Sequence, residues 1–129
     1  MPQTSPVVPY LSIDGAKAAI DFYKRAFAAE EVSRKDAEDG KRLMHAHLRI
    51  NSGDVYLCDF FPEYGAKVET PSAVVVHLEV DDADAWWKRA VDAGATATMP
   101  IQDTFWGARY GQLRDPFGHR WSIGAPLKQ

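Results

Sequence analysis

The stretch Asp115-Pro116-Phe117-Gly118-His119-Arg120-Trp121 contains the clearest folding signal in this chain. Asp at the first position of a four-residue turn, Pro at the second and Gly at the fourth match the type I preferences, because Pro presets φ and Gly relieves crowding at the exit. After the turn, Trp121 and Ile123 are apolar and the residues between them are polar, as in a strand with one buried face. The pattern predicts a hairpin with strands over 110–114 and 119–124.

Working back from this hairpin, the second half of the chain shows a strand, a helix and a short strand. Apolar residues alternate over 74–80, which predicts a half-buried strand. Residues 84–93 have apolar side chains at helical spacing and are followed by Gly94, a common helix C-cap. We expect a short strand over 96–100 and then a loop over 101–107.

The first half shows the same order of elements. A β-prone segment over 7–13 precedes residues 16–29, where apolar side chains fall on one side of a helix. Strands over 31–35, 44–50 and 55–60 follow, and clusters of turn-forming residues separate them. This half therefore predicts a βαβββ module.

A sequence match indicates that this module occurs twice. KRAFAAE at residues 24–30 and KRAVDAG at residues 88–94 align at an offset of 64 positions (88 − 24 = 64), and a repeat of this length is one supersecondary unit used twice. We expect a single domain over residues 1–129, with one module at 7–60, a connector at 61–72 and a second module at 73–125.

Two such modules predict an α+β fold in which a cup-shaped curved sheet has its helices on the outer face. Alternation along the strands then assigns each side chain to one face. The residues expected under the helices are Leu11, Ile13, Met44, Ala46, Leu48, Val55, Leu57, Val74, Val76, Leu78, Trp121 and Ile123. The residues expected on the concave face are Tyr10, Ser12, His45, His47, Arg49, Tyr56, Cys58, Val75, His77, Glu79, Arg120 and Ser122.

Composition excludes several classes of partner. The formal net charge of −3 comes without a block of like charge, so we expect no nucleic-acid partner. Cys58 is the single cysteine, which excludes an intrachain disulfide and favours a reducing, cytoplasmic compartment. No apolar run approaches the roughly 20 residues that a membrane-spanning helix needs, so we expect no membrane partner.

Several motifs together resemble the vicinal oxygen chelate superfamily, which includes glyoxalase I, the fosfomycin and bleomycin resistance proteins and extradiol dioxygenases. Within it the chain looks most like the PhnB-like, glyoxalase-related small proteins. The motifs are Pro9-Tyr10-Leu11, Gly15, Ala19-Ile20-Asp21-Phe22-Tyr23, Met44-His45-Ala46, the stretch from Trp106 to Gly111, and the stretch from Asp115 to Trp121. The resemblance implies paired βαβββ modules that form a cup, a homodimer, and often a divalent metal ion at the base of the cup.

The metal-ligand positions that the resemblance implies depart from the family pattern. Metal-dependent members place His or Gln on the first strand of a module and Glu on its last strand, donors that suit zinc, nickel or iron. Matching residue by residue puts these residues at the four positions: Val8, then Leu57 or Cys58, then Val75, then Ser122. Val and Leu have no lone pair to donate, so we expect neither the usual metal site nor a cofactor.

Histidines on the concave face leave three interpretations open. His45 and His47 share one face of a strand, and His77 with Glu79 takes the corresponding face in the second module. They can form a relocated metal site if their nitrogens converge. They can instead be hydrogen-bonded polar residues of a solvated cavity, or contact a ligand and do acid/base work with one histidine.

The loop before the last hairpin also has two interpretations. Trp106, Arg109 and Tyr110 can stack on a bound ring or clamp an anion. Alternatively, Trp106 fills a dimer seam and Arg109 pairs with a carboxylate. Cys58 is interpreted as a small buried hydrophobe, because nothing in its local sequence supplies a base or a cationic setting.

These observations lead to two hypotheses about function. The first is a homodimeric protein that binds a small aromatic or amphipathic molecule in the cavity without the usual metal site. The second is a metal- or His-dependent enzyme of the lyase, isomerase or dioxygenase type that acts on a small oxygenated substrate. The candidate ligand-binding residues are Tyr10, His45, His47, Tyr56, Cys58, His77, Glu79, Trp106, Arg109 and Tyr110.

Overall fold

The computed structural model describes residues 7–65 and 67–127. The chain forms two compact units. The first is built mainly from residues up to Glu69, and the second from Thr70 onward together with Arg25–Phe27.

The first unit contains one helix and a four-stranded sheet. Its elements are β1 (Tyr10–Ile13), α1 (Ala16–Phe27, which ends in the segment counted with the second unit), β2 (Glu30–Asp36), β3 (Leu43–Ile50) and β4 (Gly53–Asp59), followed by a short 3-10 turn over Pro62–Tyr64. The strand order is β1-β4-β3-β2. Strands β1 and β4 are parallel and the other neighbours are antiparallel.

The second unit repeats this arrangement. Its elements are β5 (Val75–Glu79), α2 (Ala83–Ala93), β6 (Thr96–Asp103), β7 (Ala108–Arg114) and β8 (Arg120–Pro126), with strand order β5-β8-β7-β6. The outer strand β5 is parallel to β8, and the other pairs are antiparallel. This confirms the α+β class and the two βαβββ modules.

The repeat is real, but the sequence match does not identify equivalent residues. The helices begin at Ala16 and Ala83, 67 positions apart (83 − 16 = 67). Their positive-φ C-cap residues, Ala28 and Gly94, are 66 positions apart (94 − 28 = 66). The KRA match at an offset of 64 is therefore out of register with both helix ends.

Met44, which we expected in the core, is 42% exposed. The cause is a β-bulge, because Lys35 pairs with His45 while the next residue, Asp36, pairs with Leu43. The extra residue on β3 is thus Met44, and Leu43 takes the core position instead, with 0% exposure. Before His45 the bulge exchanges the faces on which the side chains of β3 lie. The alternating sequence pattern does not reveal this exchange.

Two expectations for the second unit also need correction. Val74 is 69% exposed and precedes the first residue of β5, so it does not belong to the core. Residues 101–103 continue β6 as far as Asp103 instead of forming a loop. Pro100 suggested the end of the strand, but β6 is the outer strand of its sheet and its pairing shifts between Met99 and Gln102, a setting that tolerates Pro.

The start of α1 depends on a side chain from a different element. Gly15 occupies the N-cap position, and because glycine has no side chain it cannot cap the helix itself. The buried carboxylate of Asp59 accepts bonds at 3.0 Å from the backbone N–H groups of Gly15 and Ala16, and its second oxygen accepts from Leu43 N–H at 2.7 Å. Asp59 thereby satisfies helix N-terminal donors that would otherwise lack partners.

A second buried carboxylate holds the β7–β8 hairpin. Oδ1 of Asp115 accepts from the backbone N–H groups of Phe117 and His119, both at 2.9 Å, and Oδ2 accepts from Trp121 Nε1–H at 2.9 Å. The turn closes through Gly118 N–H, which donates to the Asp115 carbonyl oxygen at 3.1 Å. Asp115 and Trp121 are 3% and 0% exposed, so the carboxylate and the Trp121 Nε1–H are shielded from water, while the bonds from the two turn amides are part-buried.

Neither helix of the described residues is both long enough and apolar enough to cross a membrane.

Asp115→Asn should lower the free energy of unfolding by about 2 kcal/mol, because an amide cannot accept from all three donors and leaves one buried N–H unpaired. Urea denaturation measures the change. Asp92→Asn removes the same charge from an exposed pair with Lys88 and should stay within about 0.5 kcal/mol of the parent. Equal losses in the two variants would contradict the role given to Asp115.

Candidate functional site

The second unit contains a cavity that brings together several of the residues selected from the sequence. Its volume is about 430 Å³. The residues that line it are His77, Glu79, Trp106, Gly107, Ala108, Tyr110, Gly124 and Pro126. Four of the candidate ligand-binding residues are among them, which makes this cavity the candidate site.

The pairing register of β5, β8 and β7 places the polar side chains that line this cavity. Glu79 on β5 pairs with Gly124 on β8, and Gly124 pairs with Tyr110 on β7. Two residues along, His77 pairs with Ser122. Side chains in such rows point to the same face of a sheet and contact one another across strands.

Gly124 allows two rings to approach each other over the middle strand. A Cβ atom at this position would lie 2.9 Å from His77 Cε1 and 3.4 Å from Tyr110 Cδ1. With no side chain there, the His77 and Tyr110 rings stack at a centroid distance of 5.9 Å and an interplanar angle of 27°. The glycine is therefore required for close approach of side chains, since its φ is not in the left-handed region.

The two rings continue into an exposed run of aromatic side chains. Trp106 meets Tyr110 edge-on at 5.7 Å, and Phe105 meets Trp106 edge-on at 5.1 Å. Trp106 is 58% exposed and Phe105 is 97% exposed. We call His77, Tyr110, Trp106 and Phe105 the aromatic series.

His77 is held by hydrogen bonds at both ring nitrogens. Nδ1 lies 2.7 Å from Ser122 Oγ, and Nε2 lies 2.9 Å from Glu79 Oε1. An ionised carboxylate only accepts, so Nε2 donates to Glu79, and in the neutral ring Nδ1 accepts from the Ser122 hydroxyl. Glu79 thus fixes the tautomer of His77, and the bonds to Glu79 and Ser122 together fix the orientation of its ring.

The order Ser122, His77, Glu79 resembles a nucleophile, base and acid, but the burial is reversed. Ser122 is 1% exposed, whereas the side chains of His77 and Glu79 are 41% and 65% exposed. A nucleophile must reach its substrate and the orienting acid is normally buried. The groups available to a ligand are therefore His77 and Glu79, and Ser122 is a positioning residue.

Arg109 lies apart from this cavity. It pairs with Asp84 and with Asp103, each at 3.2 Å, and these carboxylates raise the pKa of the guanidinium. Of the two alternatives for Arg109, the structure shows carboxylate pairing. Its charge is neutralised locally, and Arg109 does not line the cavity with Trp106 and Tyr110.

The remaining candidates form an aromatic cluster in the first unit. Tyr10 OH lies 2.8 Å from His45 Nδ1, and the Tyr56 ring meets Tyr10, His45 and His47 edge-on at 5.7, 5.0 and 4.9 Å. His47 Nε2 also lies 2.8 Å from Asp54 Oδ1. These polar groups bond to one another within the unit.

Cys58 is half-buried next to this cluster. Burial raises the pKa of its thiol, while hydrogen bonds with Ser12 and Tyr10 lower it by less. A thiol with a raised pKa is a poor nucleophile at neutral pH.

The residues at the four family metal positions do not fit a divalent ion. Val8, Leu57 and Val75 carry only aliphatic groups, the Ser122 hydroxyl is engaged with His77, and the half-buried Cys58 thiol bonds with Ser12 and Tyr10. His45 and His47 bond within the first unit, and His77 and Glu79 within the second. Across residues 7–65 and 67–127, no group of three or more His, Cys, Asp or Glu side chains could hold a metal ion.

Sequence reasoning missed three contributors to these sites. It placed Ser122 on the concave face and at a metal position without linking it to His77, and it gave no role to Asp54 or Gly124. An isolated glycine inside a strand pattern is a recognised signal of close approach, so the role of Gly124 could have been inferred. The hydrogen bonds of Ser122 and Asp54 depend on register, which the sequence does not state.

Comparison with known proteins identifies related chains. The family model described as the Glyoxalase/Bleomycin resistance protein/Dioxygenase superfamily matches residues 7–123. Uncharacterized protein Mb0911c of Mycobacterium bovis is 47% identical over 127 residues, covering 94% of this chain and 83% of its own.

Solved structures show the same fold. Protein PA1353 from Pseudomonas aeruginosa aligns with a TM-score of 0.76 and 27% identity, covering 97% of this chain and 100% of that one. The PhnB protein from Bacillus cereus aligns with a TM-score of 0.68 and 18% identity, covering 94% and 99% of the two chains. At that identity the second likeness concerns the fold alone.

Gly124→Ala should displace the His77 ring, because the new methyl group would overlap it, and should change the free energy of unfolding by only about 0.5 kcal/mol, because the 41% exposed His77 side chain can move aside. Denaturant unfolding and the NMR resonances of the His77 ring measure the two effects. Gly53→Ala is the matched control, since its Cβ would meet only the Ile50 carbonyl oxygen at an ordinary 3.5 Å. Unchanged His77 resonances in Gly124→Ala would contradict the close approach.

Proposed function

This chain belongs to the Glyoxalase/Bleomycin resistance protein/Dioxygenase superfamily, and from that premise we propose that it binds a small aromatic molecule. The ligand occupies the cavity of the second unit and lies against three members of the aromatic series, His77, Tyr110 and Trp106. Binding does not use a metal ion at the usual ligand positions of the family.

The observation that carries this proposal is the exposed aromatic series at the cavity. Three of its members, His77, Tyr110 and Trp106, line the cavity, and each ring lies within 6 Å of the next. Large apolar rings left open to water at a concave site are typical of ligand binding. A planar ligand would cover the Trp106 face and gain stacking in addition to the burial of apolar area.

The side chains at the family's metal-ligand positions support ligand binding more than the metal-assisted chemistry of the family. Aliphatic side chains at Val8 and Val75 cannot polarise a substrate oxygen, and Ser122 is committed to His77. The cavity instead offers surfaces for stacking and two polar groups, His77 and Glu79, that fix the orientation of a ligand.

A second candidate function rests on the same two polar groups. The His77–Glu79 hydrogen bond at the cavity wall suits acid/base work on a small oxygenated substrate, with Ser122 helping to hold the histidine ring in place. Conversion of a bound ligand, lost in His77→Gln with binding retained, would favour this enzyme over the binding protein.

We also propose that the protein forms a homodimer. Support comes from large apolar side chains that a single chain leaves open, among them Phe105 at 97% exposure and Val74 at 69%. Phe105 extends beyond the cavity lining, so it is available to a second copy while Trp106 faces the ligand.

Trp106→Ala should weaken the binding of acridine, a planar aromatic probe, by about three- to tenfold, because one stacking surface is lost. Isothermal titration calorimetry measures the dissociation constant. Tyr64→Ala is the matched control, because Tyr64 is 77% exposed and is not among the residues that line the cavity. Absence of binding to the parent protein, or equal weakening in both variants, would overturn the proposed function.

Phe105→Ser should shift the protein toward monomers in sedimentation equilibrium, since the side chain offered to the second copy is removed. Tyr64→Ser changes an exposed aromatic residue elsewhere and should leave the association constant unaltered. A parent protein that stays monomeric up to high micromolar concentration would contradict the dimer.

A further inference from the structure

We infer that the hydroxyl group of Tyr110 selects the ligand by donating a hydrogen bond to it. The preferred ligand is then a neutral aromatic molecule with a hydrogen-bond acceptor at its polar edge, such as a carbonyl oxygen or a pyridine-type ring nitrogen. This inference rests on the proposed function and specifies the chemical class of its ligand. It follows from a chain of hydrogen bonds that fixes the direction in which Tyr110 donates.

The chain of hydrogen bonds begins at a cationic side chain. Arg120 Nη2 donates to Gln112 Oε1 at 3.2 Å, and Gln112 Nε2 donates to the Tyr110 hydroxyl oxygen at 2.9 Å. A guanidinium group has donors and no acceptor, so the amide oxygen of Gln112 is the atom that lies against Arg120. The amide nitrogen of Gln112 is therefore the atom that meets Tyr110.

This order fixes the role of the Tyr110 hydroxyl. Its oxygen accepts from Gln112, so its hydrogen is left to donate to a different acceptor. Among residues 7–65 and 67–127, none accepts this hydrogen. Tyr110 is half-buried and lines the cavity, where a donor gains from an acceptor that a ligand brings.

Strand register holds the chain of hydrogen bonds on the face of the sheet that carries His77. Tyr110 and Gln112 are two positions apart on β7, and Gln112 pairs with Ser122, two positions after Arg120 on β8. Residues two apart on a strand point to the same face. Ser122 also pairs with His77 and bonds to its ring, so all these side chains share one face.

A second donor lines the same cavity. The indole nitrogen of Trp106 can only donate, and it has no hydrogen-bond partner within the part of the chain that the structure describes. Both ring nitrogens of His77 already have partners in the second unit. The uncommitted hydrogen-bonding groups of these three rings are therefore the Trp106 N–H and the Tyr110 O–H, and both complement an acceptor on the ligand.

Charges of both signs act near the cavity, which favours a neutral acceptor. Glu79 contributes a carboxylate to the lining, and the guanidinium of Arg120 lies two hydrogen bonds from the Tyr110 hydroxyl. Hydrogen bonds in series polarise one another, so the chain from Arg120 makes the Tyr110 O–H a stronger donor. The selection depends on the direction of this bond and not on a net charge of the cavity.

The test compares two aromatic probes of similar size and lipophilicity: quinoline, whose ring nitrogen only accepts, and indole, whose N–H only donates. Both are neutral at pH 7.5. NMR titration of the full chain, followed by the backbone amide resonance of Gly124, measures the two dissociation constants. Quinoline should bind about three- to tenfold more tightly, the range that one neutral hydrogen bond supplies.

Tyr110→Phe keeps the ring and removes the hydroxyl group. It should lower the affinity for quinoline to about that for indole and leave indole binding unchanged. Tyr64→Phe is the matched control, because it removes a phenolic hydroxyl from a residue that is not among the cavity-lining residues. It should preserve both affinities.

Gln112→Glu tests the direction of the bond while the Tyr110 hydroxyl stays in place. The carboxylate at position 112 only accepts, so the Tyr110 hydrogen turns toward it and is withdrawn from the ligand. The preference for quinoline should disappear, as in Tyr110→Phe. The parent protein and Gln112→Glu test the inference even if Tyr110→Phe does not fold.

The outcomes separate this inference from the proposed function. Indole binding as tight as, or tighter than, quinoline overturns the selection of an acceptor while leaving aromatic binding intact. Equal weakening of both probes in Tyr110→Phe, or an unchanged preference in Gln112→Glu, also overturns it. Failure of acridine, quinoline and indole alike to bind overturns the proposed function itself.

Discussion

The register between β7 and β8 is the constraint on which the candidate site depends, and the buried carboxylate of Asp115 sets it. By accepting from two turn amides and from Trp121, Asp115 holds the hairpin so that Tyr110 pairs with Gly124. A shift of one residue would move every side chain of β8 to the opposite face. Trp121 would then leave the core, and the space above Gly124 that admits the two stacked rings would be filled.

Much of the fold could be predicted because turn chemistry and alternation are local properties. The Asp115–Gly118 turn, both helices and the repeated βαβββ order follow from residues close together in sequence. The errors occur where pairing between strands decides the outcome. Met44 left the core because of a bulge opposite Lys35, and β6 continued past Pro100 because an outer strand tolerates a missing N–H.

The candidate site, like the fold, could be predicted where local patterns decide it and not where pairing between strands does. Parity and loop position selected His77, Glu79, Trp106 and Tyr110, and the structure places these four residues around one cavity. The same parity selected Tyr10, His45 and Tyr56, which form a separate cluster in the first unit. Alternation along a strand predicts which face of the sheet a side chain lies on, but not which side chains it contacts on neighbouring strands. For this reason the sequence could not show that Ser122 orients His77.

The outer strand β6 limits how copies of this chain can associate. An exposed strand edge normally offers a row of amide groups on which another chain can continue the sheet, a route to aggregation. In β6 that row is interrupted, because Pro100 has no N–H and the pairing with β7 is already irregular there. Backbone-mediated fibre growth is thus disfavoured along this edge, even though the unit displays bulky apolar rings on its surface.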